Sequence, residues 1–383
     1  MSTQAVVAGH VCLDVIPQVD HPVDLAPGRL YFVGPPTTGT GGPVSNTGVC
    51  LHILGIKTML MGKIGDDNFG QAIIDIFKRY SPELVKGMIR VPGETTSYSV
   101  VLNIPGRDRT FLHCPGANDT FVAKDVAYDK VAKAPLFHLG YPPLMAKIRE
   151  KDGAELVKIY RKVKGLGVTT SLDMAMPDPD SASGKVNWQK VLRTVCPHVD
   201  IFLPSADELL FMIDRKHYGQ GDNIDGTHVA KLGQALLDLG VAIAGVKLGA
   251  RGIYVRTAGK KRLQAMGRLK PASLDNWADR ELWFPIFKVK NFVGATGAGD
   301  TTIAGFLAAL LRGLPIEEAG VAANLVGAMN VQAADALSAL RSWEETLAQR
   351  KVLKPAVLDP RAPGWTQDPK SKVWHGPRDH RDA

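Results

Sequence analysis

Asn291-Phe-Val-Gly294-Ala295-Thr296-Gly297-Ala298-Gly299-Asp300 runs directly into residues 301–312, where Ile303, Phe306, Leu307, Leu310 and Leu311 share one stripe. The pattern is a glycine-rich loop feeding an amphipathic helix, which Gly313 and Pro315 then end. Glycine at a helix start lets backbone N–H groups approach an anion with no Cβ in the way, and the positive end of the helix dipole favours negative charge there. Gly297, Ala298 and Gly299 are the expected donors. Asp300 is the discordant residue, because a carboxylate repels phosphate unless it has a task of its own. Accepting the proton of an alcohol while a bond to phosphorus forms is such a task. Complementing the helix dipole from the first turn is the plainer alternative. The dinucleotide fingerprint Gly-x-Gly-x-x-Gly follows the first strand of its fold, and the other common phosphate loop ends in Gly-Lys-Ser/Thr. This loop lies in the last third of the chain and has no such ending, so both are disfavoured.

Working outward, short apolar runs at residues 5–8, 58–61, 136–139, 168–172, 199–203 and 243–248 alternate with longer helical patterns. One of these, residues 43–54, shows its period through Val49, Cys50, Ile53 and Leu54 before the stop at Gly55. The alternation predicts an α/β fold with a mostly parallel sheet covered on both faces. Two segments break it: residues 18–41, rich in Pro, Gly and Thr, and residues 91–117, with a β-prone stretch, a Pro105-Gly106 turn and a second short strand. They read as strands of a small β lid over a site, or, more plainly, as surface hairpins with no gating role. The expected division is a core of residues 1–17, 42–90 and 118–350, a lid of 18–41 and 91–117, and a Pro-rich tail of 351–383. Residues 257–285 form a polar insertion with no assigned chemistry. The prolines of the tail exclude a persistent helix, leaving chain that is disordered or that wraps the body through Trp365 and Trp374.

With 383 residues, 45% of them hydrophobic, the chain can bury one large core. Lys and Arg exceed Asp and Glu by 46 to 38, a mild excess that favours an anionic ligand. Basic clusters such as Lys260-Lys261-Arg262 are short and carry no interleaved aromatics, so no nucleic-acid partner is expected. Cys12, Cys50, Cys114 and Cys196 lie far apart, without a Cys-x-x-Cys pair or a nearby His at metal spacing, which argues against a disulfide framework and a zinc site. The N-terminus lacks a secretory pattern and no apolar run is long enough to span a bilayer, so the expectation is a cytoplasmic protein with no membrane partner.

The loop ending at Asp300 resembles the C-terminal signature of the ribokinase family, the PfkB-type carbohydrate kinases, and its Gly-Ala-Gly-Asp half matches letter for letter. Gly41-Gly42-Pro-Val-Ser-Asn46 through Leu54-Gly55 is similar to the family's N-terminal signature, and Gly62-Lys-Ile-Gly65-Asp66-Asp-Asn-Phe-Gly70 to the segment that follows it. Gly9 to Asp14, Gly116-Ala-Asn118, Val199 to Glu208 and Lys247-Leu-Gly249-Ala-Arg-Gly252 continue the resemblance in family order over roughly residues 5–350. It implies a ribokinase-like three-layer α/β/α sandwich with a small β-sheet lid, and ATP-dependent phosphorylation of a sugar or sugar-like hydroxyl, with ATP and Mg2+ as cofactors. Carried over residue by residue, Asp14, Gly41, Gly42, Asn46 and Asn118 would meet the substrate; Gly297, Ala298 and Gly299 would form the anion hole, and Asp300 would be the base. Ser205, Lys247, Gly249, Gly252, Thr296 and Asn324 would border ATP, and Glu208 would hold magnesium, through water. Arg109, on the lid side, would reach the substrate or a phosphate, a solvated strand-end charge being its alternative.

The residues also speak for two of these positions alone. A carboxylate at Asp14, in the otherwise apolar run Val11-Cys-Leu-Asp-Val-Ile16, can accept two hydroxyl protons, though it can equally form a turn before Pro17. Asn46 shares the buried stripe of its helix, where its amide needs either a ligand or a backbone partner. The sequence departs from the family where Gly294 and Ala295 replace the leading Asp-Thr of the signature, which speaks against potassium dependence. Ser205 replaces an Asn and so rearranges the magnesium-water network, and Asp173 lacks the Asn and Arg that often follow it. Rival readings are a nucleoside kinase of the same family, with Phe32 or Tyr98 stacking on a base, a catalytically silent sensor on this fold, and a dinucleotide-dependent oxidoreductase. An exposed lid edge would also allow a homodimer.

Overall fold

The strand Ala5–Gly9 lies within the parallel half of the main sheet, and all five of its residues are buried, as expected of a strand covered on both faces. Its side chains alternate between two cores: Val7 joins the one containing Val49, Leu60 and Phe306, and Val6 the one containing Phe137, Tyr160 and Phe202. In this computed structural model, which describes residues 2–107 and 110–380, Thr58–Met61 pairs parallel to it on one side and Leu136–Gly140 on the other. Thr169–Leu172, Ile201–Phe202 and Ile243–Lys247 continue the parallel order. Each of these strands coincides, to within one residue at the carboxyl end, with an apolar run read from the sequence or falls inside one.

Beyond Ile243–Lys247 the sheet turns antiparallel through Ile253–Thr257 and Glu281–Phe284. It is completed by Trp374–His375 and Thr366–Gln367. The described part of the Pro-rich tail, to residue 380, therefore wraps the body and forms the edge of a ten-stranded sheet. Helices Pro43–Ile53, Ala298–Leu311 and Ile316–Asn330 cover one face. Helices Ala146–Gly165, Trp188–Val195, Ala206–Ile213 and Gly226–Asp238 cover the other. The insertion at 257–285 folds onto the first face, where Trp277 is fully buried against Phe306 at 5.8 Å between ring centroids.

A separate four-stranded sheet forms the lid, in the order Gly34–Gly41, Cys12–Gln18, Tyr98–Leu102, Thr110–Cys114. The expected boundary is corrected here, because the lid begins at Cys12 and not at residue 18. Leu13, Asp14 and Val15 pair with Tyr98, Ser99 and Val100 on one side, and with Thr40, Gly39 and Thr38 on the other. Partners on both sides satisfy the strand's backbone groups without the main sheet. Among the described residues, no helix is long and apolar enough to cross a membrane.

Candidate active site

Five parallel strands end on the same side of the sheet, and the residues just past their carboxyl ends are polar. Tyr141 follows Leu136–Gly140, Asp173 follows Thr169–Leu172, Ser205 lies just past Ile201–Phe202, Lys247 closes Ile243–Lys247, and His10 follows Ala5–Gly9. In open α/β sheets this is where ligands bind. The helix Ala298–Leu311 points its N-terminus into the same region, capped by Gly297 at φ +71°, where an added Cβ would stand 2.5 Å from that of Ala336. The Ala298 N–H donates to the Ala295 carbonyl at 3.2 Å. Helix geometry leaves the amides of Gly299 and Asp300, in the first turn, without intrahelical acceptors.

Asp300 is 1% exposed. Its Oδ2 accepts from Asn46 Nδ2 at 3.0 Å and from the Tyr141 hydroxyl at 2.7 Å, while its Oδ1 is buried without a protein partner. Burial raises its pKa above the ordinary carboxylate range, against the pull of Asn46, Lys247 and Tyr141. Tyr141 holds its place with a left-handed backbone, φ +63°, a conformation costing about 1–2 kcal/mol for a residue with a Cβ. Burial and the Asp300 charge push its phenol well above the usual range, so it stays a donor. No local motif signals Tyr141 in the sequence; its place directly after an apolar strand run is the signal that could have found it. The Asn46 amide nitrogen is committed to Asp300, and its oxygen remains buried and unpartnered.

Beside this pair, Lys247 Nζ meets Asp173 Oδ1 at 2.8 Å. It also stands 3.3 Å from where a Cβ on Gly299 would be, so the ammonium borders the helix start. Burial lowers the pKa of Lys247, but the carboxylates of Asp173 and Glu208 outweigh it, and the net shift is upward. Burial pushes Asp173 up to about 8 while Lys247 pulls it down, and its Oδ2 has no protein partner. Glu208 is held by its own helix: Oε2 accepts from Ser205 N–H at 2.6 Å and Ser205 Oγ accepts from Glu208 N–H at 3.2 Å, a reciprocal capping box. Asp173, Glu208 and Asp300 thus all act electrostatically on one lysine. Such an excess of carboxylate fits a divalent cation.

A cleft of about 420 Å³ opens on the far side of the helix start, lined by Lys247, Gly249, Gly252, Ala298, Gly299 and Asn324, with apolar walls from Phe287, Val289 and Val331. Asn324 donates to the Phe284 and Pro285 carbonyls, both at 2.9 Å, and so braces the wall. Thr296, expected to border ATP, lines a different cavity, on the lid side, together with Asp14, Gly39, Thr40, Phe111 and Ala336. Ser205 is not among the residues lining the larger cleft either, and its hydroxyl is occupied in the capping box.

The lid-side cavity has only about 40 Å³, room for a few water molecules. Asp14 faces Gly41 so closely that a Cβ there would lie 2.6 Å from its Oδ2. Burial raises the Asp14 pKa to about 6, against hydrogen bonds from Cys12 and Ser99. Gly42, at φ +83°, lets the helix start pass 2.5 Å, measured from a notional Cβ, from the His10 carbonyl oxygen. His10 Nε2 and His113 Nε2 lie 3.3 Å apart, and Ser99 Oγ meets His113 Nδ1 at 2.9 Å, a polar group that sequence reasoning missed. Asn118, fully buried, clasps the Val11 backbone with both amide atoms, accepting at 3.1 Å and donating at 2.9 Å, so it braces the start of the lid strand. Arg109 lies outside the described residues. Of the two suggested base-stacking residues, Tyr98 packs edge-on against Phe69 at 5.3 Å and Phe32 is 82% exposed.

The sequence pattern of the pfkB family carbohydrate kinases matches residues 2–343. The chain belongs to that family. This PfkB carbohydrate kinase is 26% identical to the uncharacterized sugar kinase of Archaeoglobus fulgidus, over 74% of its own length and 94% of that protein's. It is 27% identical to the aminoimidazole riboside kinase of Salmonella typhimurium, over 84% and 90% of the respective chains. Its fold is that of the Arabidopsis thaliana ribokinase solved with ribose and ATP: TM-score 0.69 at 20% identity, over 91% of this PfkB chain and 98% of the other. The expected ribokinase-like sandwich with its lid is therefore the observed one.

Proposed function

We propose that this PfkB-family sugar kinase moves the γ-phosphoryl group of ATP, in line, onto a hydroxyl of a sugar or sugar-like molecule, with Asp300 as the base. The observation that carries this reading is the free Oδ1 of Asp300, buried beside the amides of a helix start, with an apolar cleft on one side and the lid carboxylate Asp14 on the other. As the new oxygen–phosphorus bond forms and the bond to the bridging oxygen of ADP breaks, Asp300 takes the hydroxyl proton. Its raised pKa suits that task, because a carboxylate stabilised only as a strong acid would hold the proton poorly. Tyr141 and Asn46 fix the other oxygen and so aim the free one. The Gly299 and Asp300 amides stabilise charge on the transferring group, and Lys247 adds an ammonium at the same place.

Asp14, with the unpartnered oxygen of Asn46, holds acceptor hydroxyls, while Gly249, Gly252 and the wall braced by Asn324 take the adenine side. Asp173 and Glu208 are the residues that would hold Mg2+, which when bound supplies countercharge for the phosphates. Exposed apolar side chains on the lid's outer strand, Phe111 at 52% and Leu112 at 56%, support pairing of two lids as a homodimer. A single-chain mass by light scattering would rule that pairing out.

The test of the reaction is ADP release from Mg·ATP with a panel of pentoses, hexoses and nucleosides. Acceptor-dependent turnover is expected with a sugar, and none with any member of the panel would end the proposal. The same assay carries a pH prediction. Asp14 with a pKa of about 6 is ionised above that pH and accepts two hydroxyl protons, whereas below it one oxygen becomes a donor. The acceptor's KM is therefore expected to rise as pH falls through 6, and Asp14→Asn to raise KM and flatten that dependence.

A further inference from the structure

Asp214, His217 and His228 bring three metal-ligating side chains together, and the proposed phosphoryl transfer uses none of them. Asp214 ends the helix Ala206–Ile213, His217 lies three residues on in the turn Arg215–His217, and His228 sits in the first turn of the helix Gly226–Asp238. Asp225 fixes that helix start by accepting from the His228 N–H at 2.8 Å, so the His228 ring is presented from a capped, rigid turn. His217 Nδ1 lies 2.9 Å and His228 Nε2 2.8 Å from the same carboxylate oxygen, Asp214 Oδ2. The ligand atoms all lie within 4.8 Å of one another. The two imidazoles meet edge to face, with centroids 4.7 Å apart and an interplanar angle of 87°, which separates their lone-pair directions as two ligands of one ion require.

We propose that Asp214, His217 and His228 bind one late first-row divalent cation of the Zn2+ class, with water completing its shell. Two imidazoles and one carboxylate are the donor set of such ions, whereas Mg2+ and Ca2+ take oxygen ligands. Ligands about 2.0–2.1 Å from a tetrahedral ion stand about 3.3 Å apart. The observed separations therefore need to open by about half an ångström as the shared hydrogen bonds give way to the ion. Side-chain exposures of 20–32% leave the group open to entry and to water. An imidazole site here departs from the expectation of no zinc site, which weighed only the neighbourhood of the cysteines and not His217 and His228, eleven residues apart in the chain. An ion here would staple the end of the helix Ala206–Ile213 to the start of the helix Gly226–Asp238 and close the loop between them. That loop also carries the Ile224 carbonyl, which accepts from Arg251 in the turn between Gly249 and Gly252.

The test is calorimetric titration of the EDTA-treated full chain with ZnCl2 in excess Mg2+. One Zn2+ per chain is expected, with binding about tenfold or more weaker in His217→Gln and in His228→Gln, each shown to be folded by circular dichroism. Anomalous scattering at the zinc edge from crystals of the unaltered protein serves as a second measurement that needs no variant; its peak is expected between the two imidazoles and Asp214. Absence of a stoichiometric site overturns the proposal. So does full-strength binding in the folded variants, or an anomalous peak elsewhere, for example at His10 and His113.

Discussion

Asp300→Asn is expected to lower kcat by a factor of about 10²–10⁴, the range over which a positioned base contributes, while nucleotide and acceptor affinities stay within a few-fold of the native values. The substitution keeps the shape of the side chain. Its carbonyl oxygen can still accept from Asn46 and Tyr141, at present 3.0 and 2.7 Å away, so the site's geometry survives while the free oxygen loses its basicity. Stability is not expected to fall, because burial already disfavours the ionised form of Asp300 and an amide removes that cost. Steady-state kinetics together with calorimetric binding separate the two effects. A kcat within threefold of native, with intact binding, would remove Asp300 from the chemistry and leave it as a helix-start residue.

Ending the chain after residue 357 is expected to be the most damaging change to stability. Trp283, fully buried, packs against Trp365 at 5.7 Å, and Tyr254 against the same ring at 6.1 Å. Trp374 and His375 pair with Trp283 and Leu282 in the sheet. Re-exposing two large aromatic side chains costs about 2–3 kcal/mol each. In addition, Arg280, 5% exposed, would lose Asp379 at 2.8 Å, and the Glu281 N–H would lose the same carboxylate at 2.9 Å. A loss of order 5 kcal/mol or more lowers Tm by about 10 °C and uncovers a sheet edge that invites aggregation. Differential scanning calorimetry and soluble yield measure it. A truncated chain melting within about 2 °C of the full one would show the tail to be dispensable.

The sequence made the parallel core legible because strands buried on both faces must be apolar almost throughout, as residues 5–8 and 243–248 are. The loop before Asp300 was legible for the same kind of reason, since few backbones other than a glycine-rich one bring amides to an anion. The first lid strand was not, because Val11 to Ile16 reads as a continuation of the apolar strand before it, and only the partners at 98–100 and 38–40 show that it changes sheets. The tail's prolines exclude a helix but permit short edge strands, so its final order depended on contacts with Glu281–Phe284 from far away in the chain. Tyr141 and the Lys247–Asp173 pair depend on separate strands ending on the same side of the sheet, which no spacing along one segment encodes. The clasp of Asn118 on the Val11 backbone joins residues more than a hundred positions apart, and no local spacing encodes it.

Only His10 and Val11 separate the core strand Ala5–Gly9 from the lid strand that carries Asp14. On the proposed function, a molecule that grips Asp14 would pull on the cover itself, and recognition of the acceptor and its enclosure would become one event driven by the same contacts. The lid strand would then act as a discriminator against solvent attack, sparing ATP until a polyhydroxylated guest arrives.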